Sequence, residues 1–188
     1  MKSLSRLAAL FVLSIVLIGC FGAEGKPTGT VEDGKFVSED FSIEIPRDWE
    51  VVTDFPDEIK ENTIVGIRNN VKDNQFVANI NITYSPIQTE IAIKEFARQM
   101  LDTHRDSFLN FQEISSAPLQ INVEGTPRET VLNIFEGKFR PELDTLHVIQ
   151  TYGYKDKRAY LVTGMYALNE EQFAREKVEA TVKSFEIR

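Results

Sequence analysis

The chain has 188 residues, of which 42% are hydrophobic and 27% are charged, and its formal net charge is −8. These values are typical of a globular protein and exclude disorder over the whole chain. The acidic balance also excludes the clustered positive surface that nucleic-acid binding requires, so we expect no nucleic-acid partner.

Residues 1–19 have the organisation of an export signal. Lys2 and Arg6 make the start positive, and an apolar run extends from Leu7 to Gly19. As a helix this run would be about 20 Å long, which is too short for a bilayer core of about 30 Å. A positive start, a short apolar segment and small residues at its end are typical of a signal peptide. We therefore predict that residues 1–19 are removed on export.

The single cysteine of the chain, Cys20, directly follows this segment. Residues 17–20, with the sequence Leu-Ile-Gly-Cys, resemble the lipobox of bacterial lipoproteins. That resemblance implies that the Cys20 thiol carries diacylglycerol and that its new amino group receives a fatty acid such as palmitate. Stable membrane attachment needs two or more chains, which this modification supplies. Two alternatives stay open: an ordinary signal peptide with a chance cysteine, and a short membrane anchor that is not cut.

Residues 20–35 are predicted to be the lipidated cysteine and a flexible tether, because residues 21–35 are rich in glycine and show no apolar period. The folded domain is predicted to span residues 36–188. Phe21 stands where the sorting rule of enteric lipoproteins places aspartate for inner-membrane retention. We therefore expect an exported protein that is lipid-anchored to a cell-envelope membrane and faces the periplasm or the exterior, with the outer membrane favoured if the organism has one.

The first half of the predicted domain contains strands and one long helix. Residues 41–52, 62–69 and 75–85 alternate apolar and polar side chains, which predicts strands. Residues 89–111 place apolar side chains at helical spacing, with Thr89 as the predicted N-cap.

The second half is predicted to be two hairpins and a final helix. Residues 118–139 read as two strands around the turn Gly125-Thr126-Pro127, and residues 145–167 as a hairpin with a polar tip at 155–158. A last helix is predicted from Asn169. Its inner stripe is predicted to contain Phe173, Lys177, Val178, Val182 and Phe185.

These elements predict an α+β fold in which a largely antiparallel central sheet is flanked by helices. The segment FSIEIPRDWEVV at 41–52, the mid-chain helix, the hairpin at 117–131 and the C-terminal segment from Ala159 resemble the PsbP-like domain family over residues 36–188. The family includes the extrinsic photosystem protein of plants and algae, its cyanobacterial lipoprotein relatives and other bacterial lipoproteins. The resemblance implies an α/β/α sandwich, but it does not imply work in a photosystem, because a fold does not fix a function.

The residue patterns indicate no catalytic or metal site. The chain has two histidines, His104 and His147, and both are interpreted as packed residues. No pair of cysteines or histidines has the spacing of zinc ligands, and no serine lies in a nucleophile motif. We therefore expect no enzyme, no metal and no cofactor, although an enzyme with an unfamiliar site stays an open alternative.

Aromatic side chains are the remaining candidates for binding. Trp49, Tyr84, Tyr152 and Tyr154 could line a groove, because Trp and Tyr suit wet interfaces; core packing is the alternative interpretation. The predicted function is that of a membrane-anchored envelope lipoprotein acting as a non-enzymatic protein-binding or assembly module with an unknown protein partner. The alternative is a small-ligand binding or carrier protein with a groove beside the sheet.

Overall fold

The computed structural model describes residues 26–70 and 76–188, which form a strand-rich fold with two long helices. The helices are α1 (Asp57–Lys60), α2 (Ile93–Ser107) and α3 (Gln172–Lys183). The strands are β1 (Gly29–Glu32), β2 (Lys35–Ser38), β3 (Phe41–Glu44), β4 (Trp49–Val52), β5 (Thr63–Asn69), β6 (Asn79–Pro86), β7 (Leu109–Val123), β8 (Thr126–Lys138), β9 (Leu146–Lys155), β10 (Arg158–Ala167) and β11 (Glu186–Ile187).

The strands form one sheet in the order β1-β2-β3-β11-β7-β8-β9-β10-β6-β5-β4. Within the described residues, β11 pairs with β7 in parallel through Ile187 and Val123. The other neighbouring strands pair antiparallel. The predicted α+β class is therefore confirmed, and the predicted largely antiparallel sheet is broadly consistent with the structure, in which the parallel pair of β11 and β7 makes the sheet mixed.

The sheet curls because β3 and β4 follow each other closely in the chain but lie far apart in the strand order. Residues 45–48 alone connect them, so the two ends of the sheet must approach each other. A buried polar contact supports the curl: Arg158 Nη1 of β10 lies 2.9 Å from Asp40 Oδ2 in the turn before β3. The Tyr160 hydroxyl also donates to Asp40, and burial raises the pKa of Tyr160 above its ordinary value.

The concave face of the sheet encloses the main core, and α3 covers it. Buried side chains from both ends of the sheet, among them Phe36, Phe41 and Ile67, share this cluster with Val178 and Val182 of α3. The helix can approach closely because β10 has Gly164 beneath it. A Cβ at Gly164 would lie 2.5 Å from Val178 Cγ1 and 2.7 Å from Val182 Cγ2.

The opposite, convex face of the sheet is covered by α2. Strand residues alternate between the two faces, so that Tyr152, Leu161 and Met165 point towards α2 while their neighbours belong to the main core. Two separate apolar clusters lie under α2, one around Phe96 and one around Phe135. The helices thus pack on opposite faces of the sheet, as the sandwich prediction requires.

Some predicted boundaries differ from the structure. The predicted tether extended to residue 35, but residues 29–38 form the hairpin of β1 and β2. Its two-residue turn, Asp33 and Gly34, has positive φ at both positions, the geometry that right-handed strand twist favours. The helix α3 begins at Gln172, so its buried stripe is Ala174, Val178, Thr181 and Val182, and Phe173 is 66% exposed.

Candidate functional site

The four aromatic side chains predicted to line a groove lie on two faces of the sheet. Trp49 and Tyr84 belong to the main core beneath α3, and Trp49 is 8% exposed. Tyr152 and Tyr154 belong to the cluster around Phe96 on the face beneath α2. The sheet separates the two pairs, so the structure does not bring all four together. Binding by either pair stays a prediction, and the predicted lipidation site Cys20 lies outside the described residues.

Tyr152 and Tyr154 differ in how their hydroxyl groups are satisfied. The buried Tyr152 hydroxyl accepts a hydrogen bond from Asn133 Nδ2 at 2.9 Å and donates to Gln150 Oε1 at 3.2 Å. The Tyr154 hydroxyl is buried and has no hydrogen-bond partner among the described residues. Burial raises the pKa of Tyr154 to about 12, and the negative charge of Glu90 adds to this effect. Tyr152 is therefore a structural residue, whereas the Tyr154 hydroxyl keeps an unused hydrogen-bonding capacity.

A row of polar side chains crosses the convex face under α2. Asn81, Thr163, Gln150, Asn133 and Ser116 stand opposite one another on β6, β10, β9, β8 and β7 in turn. We call these residues the polar row. All but Ser116 are buried. The row lies between the two apolar clusters under α2. The helix therefore packs on a row of polar side chains with an apolar cluster on either side.

Hydrogen bonds connect the polar row to itself and to α2. Ser116 Oγ donates to Asn133 Oδ1 at 2.7 Å, and Gln150 Nε2 donates to Thr163 Oγ1 at 3.0 Å. Asn133 Nδ2 also donates to the backbone carbonyl of Ala97 in α2 at 3.1 Å. A buried polar group costs free energy unless it is paired, so these bonds favour one position of the helix on the sheet. The row therefore positions α2.

His104 projects from α2 into the same region and is fully buried. Its ring stacks on Phe135, with 5.1 Å between ring centroids, and meets the edge of Phe108. Neither ring nitrogen makes a well-formed hydrogen bond among the described residues. Burial lowers the pKa of His104 to about 4, an effect that the nearby Gln150 side chain partly offsets. His104 is therefore neutral at pH 7, as its interpretation as a packed residue requires.

His147 lies at the other face in a pair with a carboxylate. Its Nδ1 is 3.0 Å from Glu136 Oε1, and both side chains are largely buried. Its ring stacks on Tyr166 at 4.9 Å between centroids, and the guanidinium of Arg175 lies 5.8 Å from the same Tyr166 ring. The contact with Glu136 and the stacked rings hold this histidine in the packing of β8, β9 and β10.

The first half of β7, the strand beside α2, exposes large apolar side chains. Leu109 and Ile114 are 44% and 46% exposed, which is high for large apolar side chains in a strand. Arg105 of α2 lies 3.2 Å from Glu113 and 5.4 Å from the centre of the Phe111 ring. We call Arg105, Phe111, Glu113 and Ile114 the β7 strip. It combines apolar side chains with an arginine that is held in place by a carboxylate and a ring.

The backbone of β7 explains why the strip is open. Among the described residues, β7 pairs on the side away from β8 through Val123 alone. Its pairing with β8 shifts between Leu109 and Gln112 and again between Glu113 and Ser115, which leaves Ile114 as an extra residue. Such bulges turn a side chain out of the regular alternation. The bulge therefore directs Ile114 to solvent next to a free strand edge.

Sequence reasoning missed both the polar row and the β7 strip. The predicted helix extended to residue 111, so it included Leu109 and Phe111, which in fact begin β7. The alternating pattern from Leu109 to Glu113 was a signal for a strand that the apolar period of α2 concealed. The polar row had no local signal, because its members are brought together by the register of five strands.

Two further classes of site are not found in residues 26–70 and 76–188. No group of three or more His, Cys, Asp or Glu side chains there could hold a metal ion. The helices in this part of the chain are too short or too polar to cross a bilayer.

Solved structures with the same fold include proteins from three bacterial groups. The cyanobacterial PsbP protein of Synechocystis superimposes with a TM-score of 0.56 at 11% identity, over 91% of this chain and 99% of its own. LpqN of Mycobacterium tuberculosis, which is involved in cell envelope biogenesis, gives 0.57 at 11% identity, over 86% and 89%. A Pseudomonas aeruginosa protein of unknown function gives 0.50 at 12% identity, over 85% and 96%.

These identities show a shared fold and nothing finer, and they confirm the PsbP-like fold predicted from the sequence. No protein-family model matches the sequence, and a comparison with curated proteins finds no match.

Proposed function

We propose that this chain, which has the PsbP-like fold, is a lipid-anchored protein of the bacterial cell envelope that binds a partner protein through the β7 strip and catalyses no reaction. The observation that carries the binding role is the exposure of Ile114 directly after Glu113, the residue that pairs with Arg105. The likeness to LpqN, an envelope biogenesis protein, supports the envelope setting.

The β7 strip has the composition of a protein-binding surface. Protein interfaces are enriched in aromatic residues and arginine around an apolar centre. Arg105 pairs with Glu113 and also with Asp102 of α2, and residues 114–123 carry no charged side chain. The partner surface should therefore be apolar and uncharged at its centre. Because Glu113 and Arg105 are partly exposed, their ion pair adds little free energy and serves mainly to orient the arginine.

The leader and Cys20 support the anchored state. The resemblance of residues 17–20 to a lipobox implies removal of residues 1–19 and acylation of Cys20. The chain is then exported and bound to a membrane through its lipid, with the outer membrane favoured by Phe21 if the organism has one. A module held at a membrane meets its partner at a raised local concentration, so a modest interface is sufficient.

Site-specific photo-crosslinking in intact cells tests the binding role. A benzophenone amino acid at Ile114 should give a discrete covalent adduct with a second polypeptide. The matched control is the same amino acid at Leu168, which is 42% exposed but lies outside the β7 strip. We expect the adduct from position 114 to exceed that from position 168 at least tenfold, and to be lost when Arg105→Glu reverses the charge beside Glu113.

Three outcomes would contradict this role. Equal adducts from positions 114 and 168 would show nonspecific collision. An adduct that contains only a second copy of this chain would replace the partner with self-association. An adduct that persists unchanged in the Arg105→Glu variant would show that the β7 strip does not determine binding.

One observation supports the alternative function, binding of a small ligand. The Tyr154 hydroxyl is buried without a partner, and its ring lies 5.6 Å from that of Phe96. A ligand oxygen could satisfy this hydroxyl if the groove beside Tyr152 and Tyr154 were used. Native mass spectrometry of the purified protein distinguishes the two functions, since a carrier should retain a small molecule that a protein-binding module lacks.

A further inference from the structure

The chain enters the fold at a defined place. Lys26 Nζ lies 5.5 Å from the centre of the Phe55 ring, and the next residue, Pro27, is buried. Burial lowers the pKa of Lys26, and the nearby charge of Lys60 lowers it further. The contact with Phe55 and the burial of Pro27 show that Lys26 is already part of the folded body. The first strand, β1, begins directly afterwards at Gly29.

This entry point shortens the connection between the anchor and the fold. The sequence pattern predicts a tether of residues 20–35, but residues from Lys26 onward are held by the fold. The chain from Cys20 to Lys26 can extend to at most about 20 Å, because a fully extended residue spans about 3.6 Å. A protein anchored at Cys20 must therefore keep Lys26 within about that distance of the lipid headgroups.

The entry point also lies at a particular side of the curled sheet. Lys26 precedes β1, which is one end of the strand order, and Phe55 follows β4, which is the other end. Their contact marks the seam where the two ends of the sheet approach each other. We call Lys26, Phe55 and Lys60 the seam pole, and Val31 lies on β1, the strand at this end of the strand order. Strand β7 is fifth of eleven in the order, so it lies near the middle of the curl and away from the seam.

We propose that the seam pole faces the lipid bilayer and that the β7 strip faces away from it, towards the partner. This inference rests on the lipid anchor of the proposed function. The occupant of the seam pole is the bilayer surface, because a connection from Cys20 to Lys26 of at most about 20 Å is too short to reach around the domain. Several strands lie between β7 and the seam in the strand order. Along β7, Ile114 lies about 30 Å from Val123, the residue at which β7 pairs with β11.

Charge does not hold the pole on the membrane. Lys26 and Lys60 are accompanied by Asp54 and Asp57, so the pole has no excess of positive charge. Attraction of a protein to anionic lipid requires clustered Lys and Arg. The short connection is therefore the orienting element, and the orientation should not depend on the anionic lipid content.

Energy transfer from single labelled positions to the bilayer tests the orientation. Acylation occupies the one native thiol, so Val31→Cys and Ile114→Cys each provide a single site for a fluorescent donor. The lipidated full-length chains are inserted into preformed phosphatidylcholine vesicles that contain rhodamine-labelled headgroups. Val31 is 57% exposed and Ile114 46% exposed, so both sites accept a label without disturbing the core. We expect transfer efficiency at position 31 to be at least twofold higher than at position 114.

A longer connection should remove this difference. Insertion of a 20-residue Gly-Ser segment after Phe21 allows the domain to rotate freely, so the ratio should fall towards one. An equal or reversed ratio in the native-length chain would overturn the inference, and so would a ratio that the insertion leaves unchanged. Flotation with the vesicles distinguishes a wrong orientation from a missing lipid anchor. A chain that does not float with the vesicles refutes lipidation itself, whereas a chain that floats and gives an equal ratio refutes the orientation alone.

Discussion

At the scale of single residues, the polar row and His104 are the unusual features of the core. A buried polar side chain is tolerated when it is paired, and most of the row is paired. His104 lacks such pairing, because its ring is surrounded by Phe108 and Phe135 and its nitrogens make no well-formed bonds among the described residues. Its neutral form fits this site, and its charged form does not.

Acid should therefore destabilise the protein through His104. The unfolded chain takes up this proton near pH 6.5, whereas the folded chain does so only near the lowered pKa of about 4. Stability is complete above pH 6.5 and is lost as the pH falls towards 4, by about 3 kcal/mol. Urea unfolding of the wild type and of His104→Leu at pH 7 and pH 4 measures the difference.

The matched control is His147→Gln, which removes the other histidine. His147 is paired with Glu136 and is not surrounded by apolar rings alone. We expect this variant to keep the wild-type loss of stability on acidification, while His104→Leu loses most of it. If both variants lose the same amount of stability as the wild type, His104 is not the group that titrates.

Residue types in the sequence predicted part of this picture. The helical spacing of His104 beside apolar residues predicted a packed histidine, and the structure confirms it. The exposed position of Phe173 was not predicted, because the helix was started at Asn169 and its inner stripe was assigned from the larger side chains. The buried stripe is made of smaller residues, which allow α3 to approach the sheet.

At the scale of secondary-structure elements, the close packing of α3 on β10 depends on a glycine. Gly164 leaves room for Val178 and Val182, which a methyl group would meet at 2.5 and 2.7 Å. We expect Gly164→Ala to lower the free energy of unfolding by about 1–3 kcal/mol, because overpacking forces the helix away from β10. Urea denaturation measures this change.

A double substitution identifies the contact that is responsible. Val178→Ala alone should cost about 2 kcal/mol through the cavity that it leaves. Combined with Gly164→Ala, it should cost at least about 1 kcal/mol less than the two single changes together, since the methyl groups exchange places. Val131→Ala, in the cluster under α2, serves as the control and should be additive with Gly164→Ala. If the free-energy changes were additive in both pairs of substitutions, steric contact with Val178 would not explain the effect of Gly164→Ala.

The strands and helices were largely predictable from the alternation of apolar and polar residues and from the helical period. Their end residues and the pairing of distant strands were not. The hairpin of β9 and β10 was predicted, and its turn at Asp156 and Lys157 has the positive φ values of a tight two-residue turn. The same chemistry at Asp33 and Gly34 was overlooked, because the surrounding residues are rich in glycine. Pairing between distant strands, such as β11 with β7, carries no local signal.

At the scale of the whole molecule, the curl of the sheet gives the domain two distinct sides. Lys26 lies at the seam, and the middle of the sheet carries α2 and the β7 strip. The fold was predicted through resemblance, and the likeness to solved structures confirms it. The proposed interaction surface could not be predicted, because the exposure of Ile114 arises from a bulge in strand pairing.

The account depends most directly on the state of Cys20 in the mature protein. The measurement is mass spectrometry of the N-terminal peptide from protein extracted from membranes, with Cys20→Ser as the control. The account predicts a peptide that begins at Cys20 and carries a diacylglyceryl group and a further acyl chain, and it predicts that the Cys20→Ser protein leaves the membrane fraction. A peptide that retains residues 1–19 with an unmodified thiol would contradict it.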